Sequence, residues 1–174
     1  MNVSFLASDL GKWDAAEGVP ETLVLPFFAD ERPLRGAAGL CDWRLCGRLS
    51  RLLQSSRVAG KWGEVTMYPP GKRLPFQRLI LVGLGAADRF DEKAAHEAGK
   101  LIADKMRKLG QPRYALVPPG RSTGRLSARR ALEIYIAELQ KAAASADVVV
   151  VESVAGQKEA AELARQPRDG APAT

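Results

Sequence analysis

The sequence predicts an α/β sandwich in which a mixed, mostly parallel sheet lies between helical layers. Three observations carry this. The stretch Arg78-Leu-Ile-Leu-Val-Gly83 is an apolar run without alternation, too short for a helix and suited to a central strand buried on both faces. A second such run, Asp147-Val-Val-Val-Val-Glu152, stands farther along the chain. Between them helical periodicity takes turns with short strand patterns, the order expected of βα units.

Each element has its own justification. Residues 3–7 read as a short edge strand and 10–21 as a polar connection. Thr22-Leu-Val-Leu-Pro-Phe-Phe28 is a strand whose proline marks where pairing ends. A charged loop over 29–38, with Pro33 and Gly36, leads to a helix over 39–53, where Cys41, Leu45, Leu49 and Leu52 make one stripe. Alternating Val65 and Met67 indicate a strand over 63–68, closed by Pro69-Pro70-Gly71 and paired with the 78–83 strand as a hairpin.

Past Gly83 and Gly85, Asp91 is an N-cap, with Phe90 and Ala95 placed as a hydrophobic staple. Ala94, Ala98, Ile102, Met106 and Leu109 then recur at helical spacing until Gly110 and Pro112 stop the run. Residues 113–117 form a strand cut by Pro118-Pro119-Gly120, and Ser127 caps a helix with Ala128, Leu132, Tyr135, Leu139 and Ala142 on one side. The 147–152 strand and a helix over 155–165 follow, and from Gln166 prolines and small polar residues predict fraying. One domain over 1–166 with a flexible tail over 167–174 accounts for the 174 residues.

Composition is that of a globular chain, 46% hydrophobic and 26% charged. No window reaches the roughly 20 apolar residues of a membrane span, and the N-terminus lacks the pattern of an export signal, so no membrane association and a cytoplasmic setting are expected. The net charge of +6 is spread evenly: residues 1–90 hold 12 basic and 9 acidic side chains, and residues 91–174 hold 14 and 11. That distribution fits a plain soluble surface and gives little support to nucleic-acid binding. On one helix Cys41 and Cys46 would point about 140° apart, which suits two small buried hydrophobes rather than a disulfide or zinc pair. The single histidine, His96, lies on a Lys- and Glu-rich helix and reads as a solvated surface residue.

Candidate sites are few. Gly83-Leu84-Gly85 begins a dinucleotide fingerprint, but Asp88 stands where its third glycine belongs, so the glycines are a structural turn or a contact for an anion or nucleotide. The loop Gly120-Arg121-Ser122-Thr123-Gly124-Arg125, after a strand and before a helix, offers hydroxyls, flexible amides and two guanidiniums to a phosphate, or is an ordinary basic loop. Arg44, Arg48 and Arg51 align at i, i+4 and i+7 of the 39–53 helix, as a solvated face or a contact for phosphate or an acidic partner. No Ser-His-Asp, Cys-His or His-Glu-x-x-His set exists, so no catalytic residue, resident metal or cofactor is expected.

Leu79-Ile-Leu-Val-Gly-Leu-Gly85, together with Thr22-Leu-Val-Leu-Pro-Phe-Phe28 and Gly47-Arg-Leu-Ser-Arg-Leu-Leu53, resembles the N-terminal domain of the leucyl aminopeptidases over roughly 22–152. The resemblance implies a macro-domain-like fold. It further implies a hexameric enzyme whose N-terminal domain assists assembly, while a second domain holds two divalent metals and removes N-terminal residues from peptides. The family's Asn-Thr-Asp-Ala-Glu-Gly-Arg signature has no counterpart; Asp14-Ala-Ala-Glu-Gly18 is a superficial echo, so no catalytic residue carries over. True macro domains bind ADP-ribose, but no Asn-Ala-Ala-Asn-like stretch stands in the corresponding place. The expectation is a stand-alone, non-catalytic module that associates with itself or with a protein partner. A nucleotide or ADP-ribose-type ligand and DNA are the alternatives.

Overall fold

The computed structural model describes residues 2–142 and 146–165; the tail expected to fray lies outside them. In chain order the elements are β1 (Asn2–Ala7), α1 (Leu10–Ala15), β2 (Thr22–Phe27), α2 (Gly36–Arg44), α3 (Arg48–Gln54), β3 (Val65–Tyr68), β4 (Arg78–Gly83), α4 (Glu92–Lys108), β5 (Arg113–Leu116), α5 (Ala128–Lys141), β6 (Asp147–Glu152) and α6 (Val154–Arg165). The strands form one sheet in the order β1-β6-β5-β2-β4-β3. Every neighbouring pair is parallel except the β3–β4 hairpin at one edge.

Strand alternation divides the core into two layers. Leu23, Leu25, Leu79, Leu81, Val149 and Val151 face Trp13 of α1, Cys41 of α2 and Leu49 and Leu53 of α3. Val24, Ile80, Val82, Tyr114, Val148 and Val150 face Ile102 and Met106 of α4, Leu132 and Tyr135 of α5 and Ala160 of α6. The unalternating runs of β4 and β6 follow from this, since both faces of each strand are covered. β4 is interior, one place in from the β3 edge. Pro26 also has its expected effect on one side: Val24 O still accepts from Val117 N, but the β2–β5 register ends there while β2 stays paired with β4 through Phe27.

Caps set the helix starts. The Asp91 carboxylate accepts from Ala94 N at 2.8 Å and the Ser127 hydroxyl from Arg130 N at 3.1 Å. Phe90 and Ala95 meet in a third apolar cluster with Phe28, Leu84, Leu126 and Ile134.

Four expectations need correction. The 39–53 helix is two helices, because Cys46 and Gly47 are both left-handed (φ 55° and 75°) and turn the chain between Arg44 and Arg48. Cys46 consequently sits exposed in that turn, while Cys41 is buried. The 10–21 connection contains α1, whose Trp13 is fully buried, donates to Ala7 O at 2.6 Å and meets Phe76 edge-on. His96 is half-buried: its Nδ1 lies 2.8 Å from Glu138 Oε1, which also accepts from Lys141 at 2.7 Å, and this joins α4 to α5.

Gly83 closes β4 against another piece of backbone. A Cβ there would lie 2.2 Å from the Lys61 carbonyl oxygen and 2.6 Å from the Gly60 carbonyl carbon. The turn is sewn down by Gly83 N to Glu64 O, Leu84 N to Phe27 O, Gly85 N to Gly60 O and Ala29 N to Gly85 O, at 2.8–3.0 Å. Gly83→Ala is therefore expected to destabilise the fold by about 2–3 kcal/mol, measured by denaturant unfolding. An unchanged midpoint would contradict so close a backbone approach.

Candidate ligand cleft at the carboxyl edge of the sheet

All strands but β3 run the same way, so their carboxyl ends share one rim. β2 leads into α2 on one face of the sheet and β5 leads towards α5 on the other. The two connections part between β2 and β5, the point at which an open α/β sheet leaves a crevice. A cleft of about 280 Å³ lies there. Its walls are Leu25 and Pro26 of β2, Val117 and Pro118 after β5, Val151 and Glu152 of β6, Ser8 after β1, the start of α2 from Arg35 to Ala38, and Gly120, Arg121 and Ser122.

The α2 wall is electropositive for two reasons. Arg35 occupies the N-cap position without a side-chain cap, and the first amide of the helix to reach a backbone acceptor is Gly39 N, 3.2 Å from Arg35 O. The preceding amides of Gly36, Ala37 and Ala38 lie at the cleft with the positive end of the helix dipole behind them. The Arg35 guanidinium closes no salt bridge among the described residues, although its charge acts on Glu31, whose Oε1 accepts from the Arg35 backbone N–H. Burial raises the Glu31 carboxyl above its ordinary pKa, against hydrogen bonds from Phe28 N and Ser122 Oγ.

Opposite, Arg121 is turned inward. Its Nε lies 2.6 Å and its Nη2 3.2 Å from the two Glu152 oxygens, and its Nη1 donates to Leu126 O at 2.7 Å. Burial alone would raise the Glu152 carboxyl, but Arg121 and the Ser153 amide together hold it below the ordinary carboxylate value. The hydrogen bonds that Arg121 donates to Glu152 in turn raise its own pKa.

The residues singled out from sequence are only partly brought together. Gly120, Arg121 and Ser122 line the cleft. Gly120 has φ +85°, and a Cβ there would meet the Phe90 ring at 2.4 Å. Thr123 turns back to donate to Gly120 O, Gly124 is an exposed left-handed turn residue, and Arg125 donates to Asp88 O and Phe90 O. Gly83 and Gly85 lie outside the cleft lining, their amides bonded to Glu64 O and Gly60 O. Arg44, Arg48 and Arg51 form no straight row: Arg44 pairs with Asp14 at 3.0 Å, Arg51 donates to Cys46 O, and Arg48 opens α3. Among the described residues no three His, Cys, Asp or Glu side chains gather as a metal site.

The cleft residues missed from sequence are Arg35, the Gly36–Ala38 amides, Ser8 and Glu152. The signal for the first two was present: the charged 29–38 loop follows a strand with both faces buried, and such loops form the ligand rim of an α/β sheet.

A depressed carboxyl stabilises the fold above its unfolded pKa, and that contribution is lost as pH falls through the folded value. Arg121→Gln is accordingly expected to cost about 2–3 kcal/mol at neutral pH, discounted for the partial exposure of Arg121. The gap from the wild type should close in acid as Glu152 takes a proton. Urea unfolding at neutral and acidic pH checks this, and an equal cost at both would contradict the ion-pair role.

Comparison with known proteins agrees with the architecture. Residues 24–136 match the cytosol aminopeptidase family, N-terminal domain. Probable cytosol aminopeptidases of Synechocystis and Burkholderia multivorans are 30% and 32% identical over 95 and 101 residues, 52% and 56% of this chain but only 19% and 20% of each relative. Among solved structures, the Trypanosoma brucei macrodomain in complex with ADP covers 92% of this chain and 68% of its own, with TM-score 0.68 and 12% identity. The macrodomain of Mycobacterium tuberculosis DarG covers 86% and 96%, with TM-score 0.63 and 15% identity. Tomato leucine aminopeptidase covers 94% of this chain and 36% of its own, with TM-score 0.56 and 15% identity. At such identities the structural likeness speaks for the fold, a macrodomain-like α/β sandwich. The match over 24–136 settles the family: this chain belongs to the cytosol aminopeptidase family and carries its N-terminal domain.

Proposed function

We propose that the chain is a non-catalytic binding module whose cleft takes a phosphate-bearing small molecule of the nucleotide class, with ADP-ribose as reference ligand. One observation carries the reading: the first-turn amides of α2 and Arg35, whose guanidinium closes no salt bridge among the described residues, border the crevice between the ends of β2 and β5. The T. brucei macrodomain seen with ADP shares this fold, which supports the ligand class. A volume of about 280 Å³ suits the phosphate and its sugar, with the base lying over the open side. Arg121 and Glu152 shape the opposite wall and neutralise one another, so Arg35 and the α2 amides supply the anion contact. A cytoplasmic setting accords with the cytosolic name of the relatives.

A second reading, association with a protein partner, is favoured by a different observation. Trp43 on α2 is 74% exposed, the highest value among the exposed large hydrophobic residues described. A complex in native lysate that dissolves on Trp43→Ala is its direct readout.

Calorimetry with ADP-ribose, ADP and inorganic phosphate tests the first reading. The nucleotides are expected to bind more tightly than phosphate, and Arg35→Gln to weaken them about tenfold. Heat from none of the three, or affinity indifferent to Arg35, would overturn the assignment.

A further inference from the structure

The left-handed turn at Cys46 and Gly47 does more than split a helix. It gathers guanidiniums from α2, α3 and the connection between β3 and β4 around one point. Arg44 reaches Asp14 and, at 3.4 Å, Arg73 O. Arg51 Nη1 donates to Cys46 O at 3.0 Å, and Arg73 Nη1 lies 3.2 Å from Cys46 Sγ. Arg51 and Arg73 have no carboxylate partner among the described residues. Beside them runs an open groove of about 790 Å³, lined by Pro33, Leu34, Trp43, Arg44, Cys46 and Gly47. Asp42 also borders it, but its carboxylate is taken by the amide and hydroxyl of Ser50. Arg44 at the groove is paired with Asp14, so the cationic excess comes from Arg51 and Arg73, which reach the groove edge at Cys46 and together outweigh Asp42. An exposed indole beside such a pair of guanidiniums has the composition of an interface centre, where Trp and Arg dominate binding.

We propose that this groove docks an acidic segment of a protein partner, which sets an apolar side chain against Trp43 and carboxylates against Arg51 and Arg73. Charge chooses the occupant. A second copy of the chain, related by a two-fold axis through Trp43, would bring two cationic rims together. Single-stranded nucleic acid needs successive stacking surfaces along a basic track. Here Trp43 is the one aromatic residue in the groove lining, and the guanidiniums cluster about a single turn. Carboxylates suit the arrangement because the planar guanidinium binds them bidentately.

The inference rests on the association reading and names the partner's chemistry. It is tested by fluorescence anisotropy with a labelled synthetic peptide of alternating acidic and apolar residues, its Asn/Gln analogue, and an oligothymidylate. The acidic peptide is expected to bind saturably and to weaken with salt. About tenfold of its affinity should be lost in Trp43→Ala and again in the Arg51→Gln/Arg73→Gln double variant, both folded by circular dichroism. Equal binding by the neutral analogue, tighter binding by the oligothymidylate, or indifference to Trp43→Ala overturns the proposal. Failure of the peptide beside a native complex that dissolves on Trp43→Ala overturns the acidic partner alone. Failure of both overturns the association reading as well.

Discussion

The close passage of Gly83 over Gly60 and Lys61 is the constraint on which the rest of the molecule depends. It leaves no room for a side chain at the end of β4, and it couples three segments distant in sequence. Gly85 is bonded to Gly60 on one side and to Ala29 on the other, so the end of β4 and the exit of β2 are fixed together. The path from Ala29 to the start of α2 is thereby set, and with it the position of the electropositive helix end at the cleft. The glycine pair acts on the cleft through the backbone that it anchors.

The two sides of the carboxyl rim divide the electrostatics between them. Arg121 and Glu152 form a part-buried pair whose mutual neutralisation allows both to lie near apolar Leu126 and Val151 without an uncompensated charge. Glu31 links the loop after β5 to the start of α2 through Ser122 and the Arg35 amide, so the walls are tied to each other at their base. A rim tied in this way would need little reordering to take the proposed ligand, which limits the entropy cost of binding.

The architecture was legible where burial imposes a pattern. The unalternating apolar runs of β4 and β6, the Asp91 and Ser127 caps and the Ala98, Ile102 and Met106 part of the α4 stripe report local physics directly, and each has its place in the structure, whereas Leu109, expected on that stripe, is an exposed C-cap. The break between α2 and α3 was hidden because Leu45 and Leu49 keep helical spacing across it and both reach the core. Only a left-handed Cys46 beside Gly47 reveals the turn, and cysteine carries no such signal. α1 was hidden by its polar surface, since a single Trp13 supplies its buried contact. In the 120–125 loop the composition is that of a phosphate cradle, yet the guanidiniums are committed to Glu152, Leu126, Asp88 and Phe90. Composition reports which groups are available, whereas their commitments depend on residues 31 to 37 positions away in the chain for all but Leu126.

The central claim is that the open amides at the start of α2 are the anion contact of the cleft. The most direct measurement is an amide nuclear magnetic resonance titration with ADP. The account predicts the largest shifts at Gly36, Ala37 and Ala38, with Gly83 and Gly85 nearly still because their amides are already bonded to backbone. Shifts concentrated at Gly83 and Gly85, or an unmoved start of α2 at saturation, would contradict it.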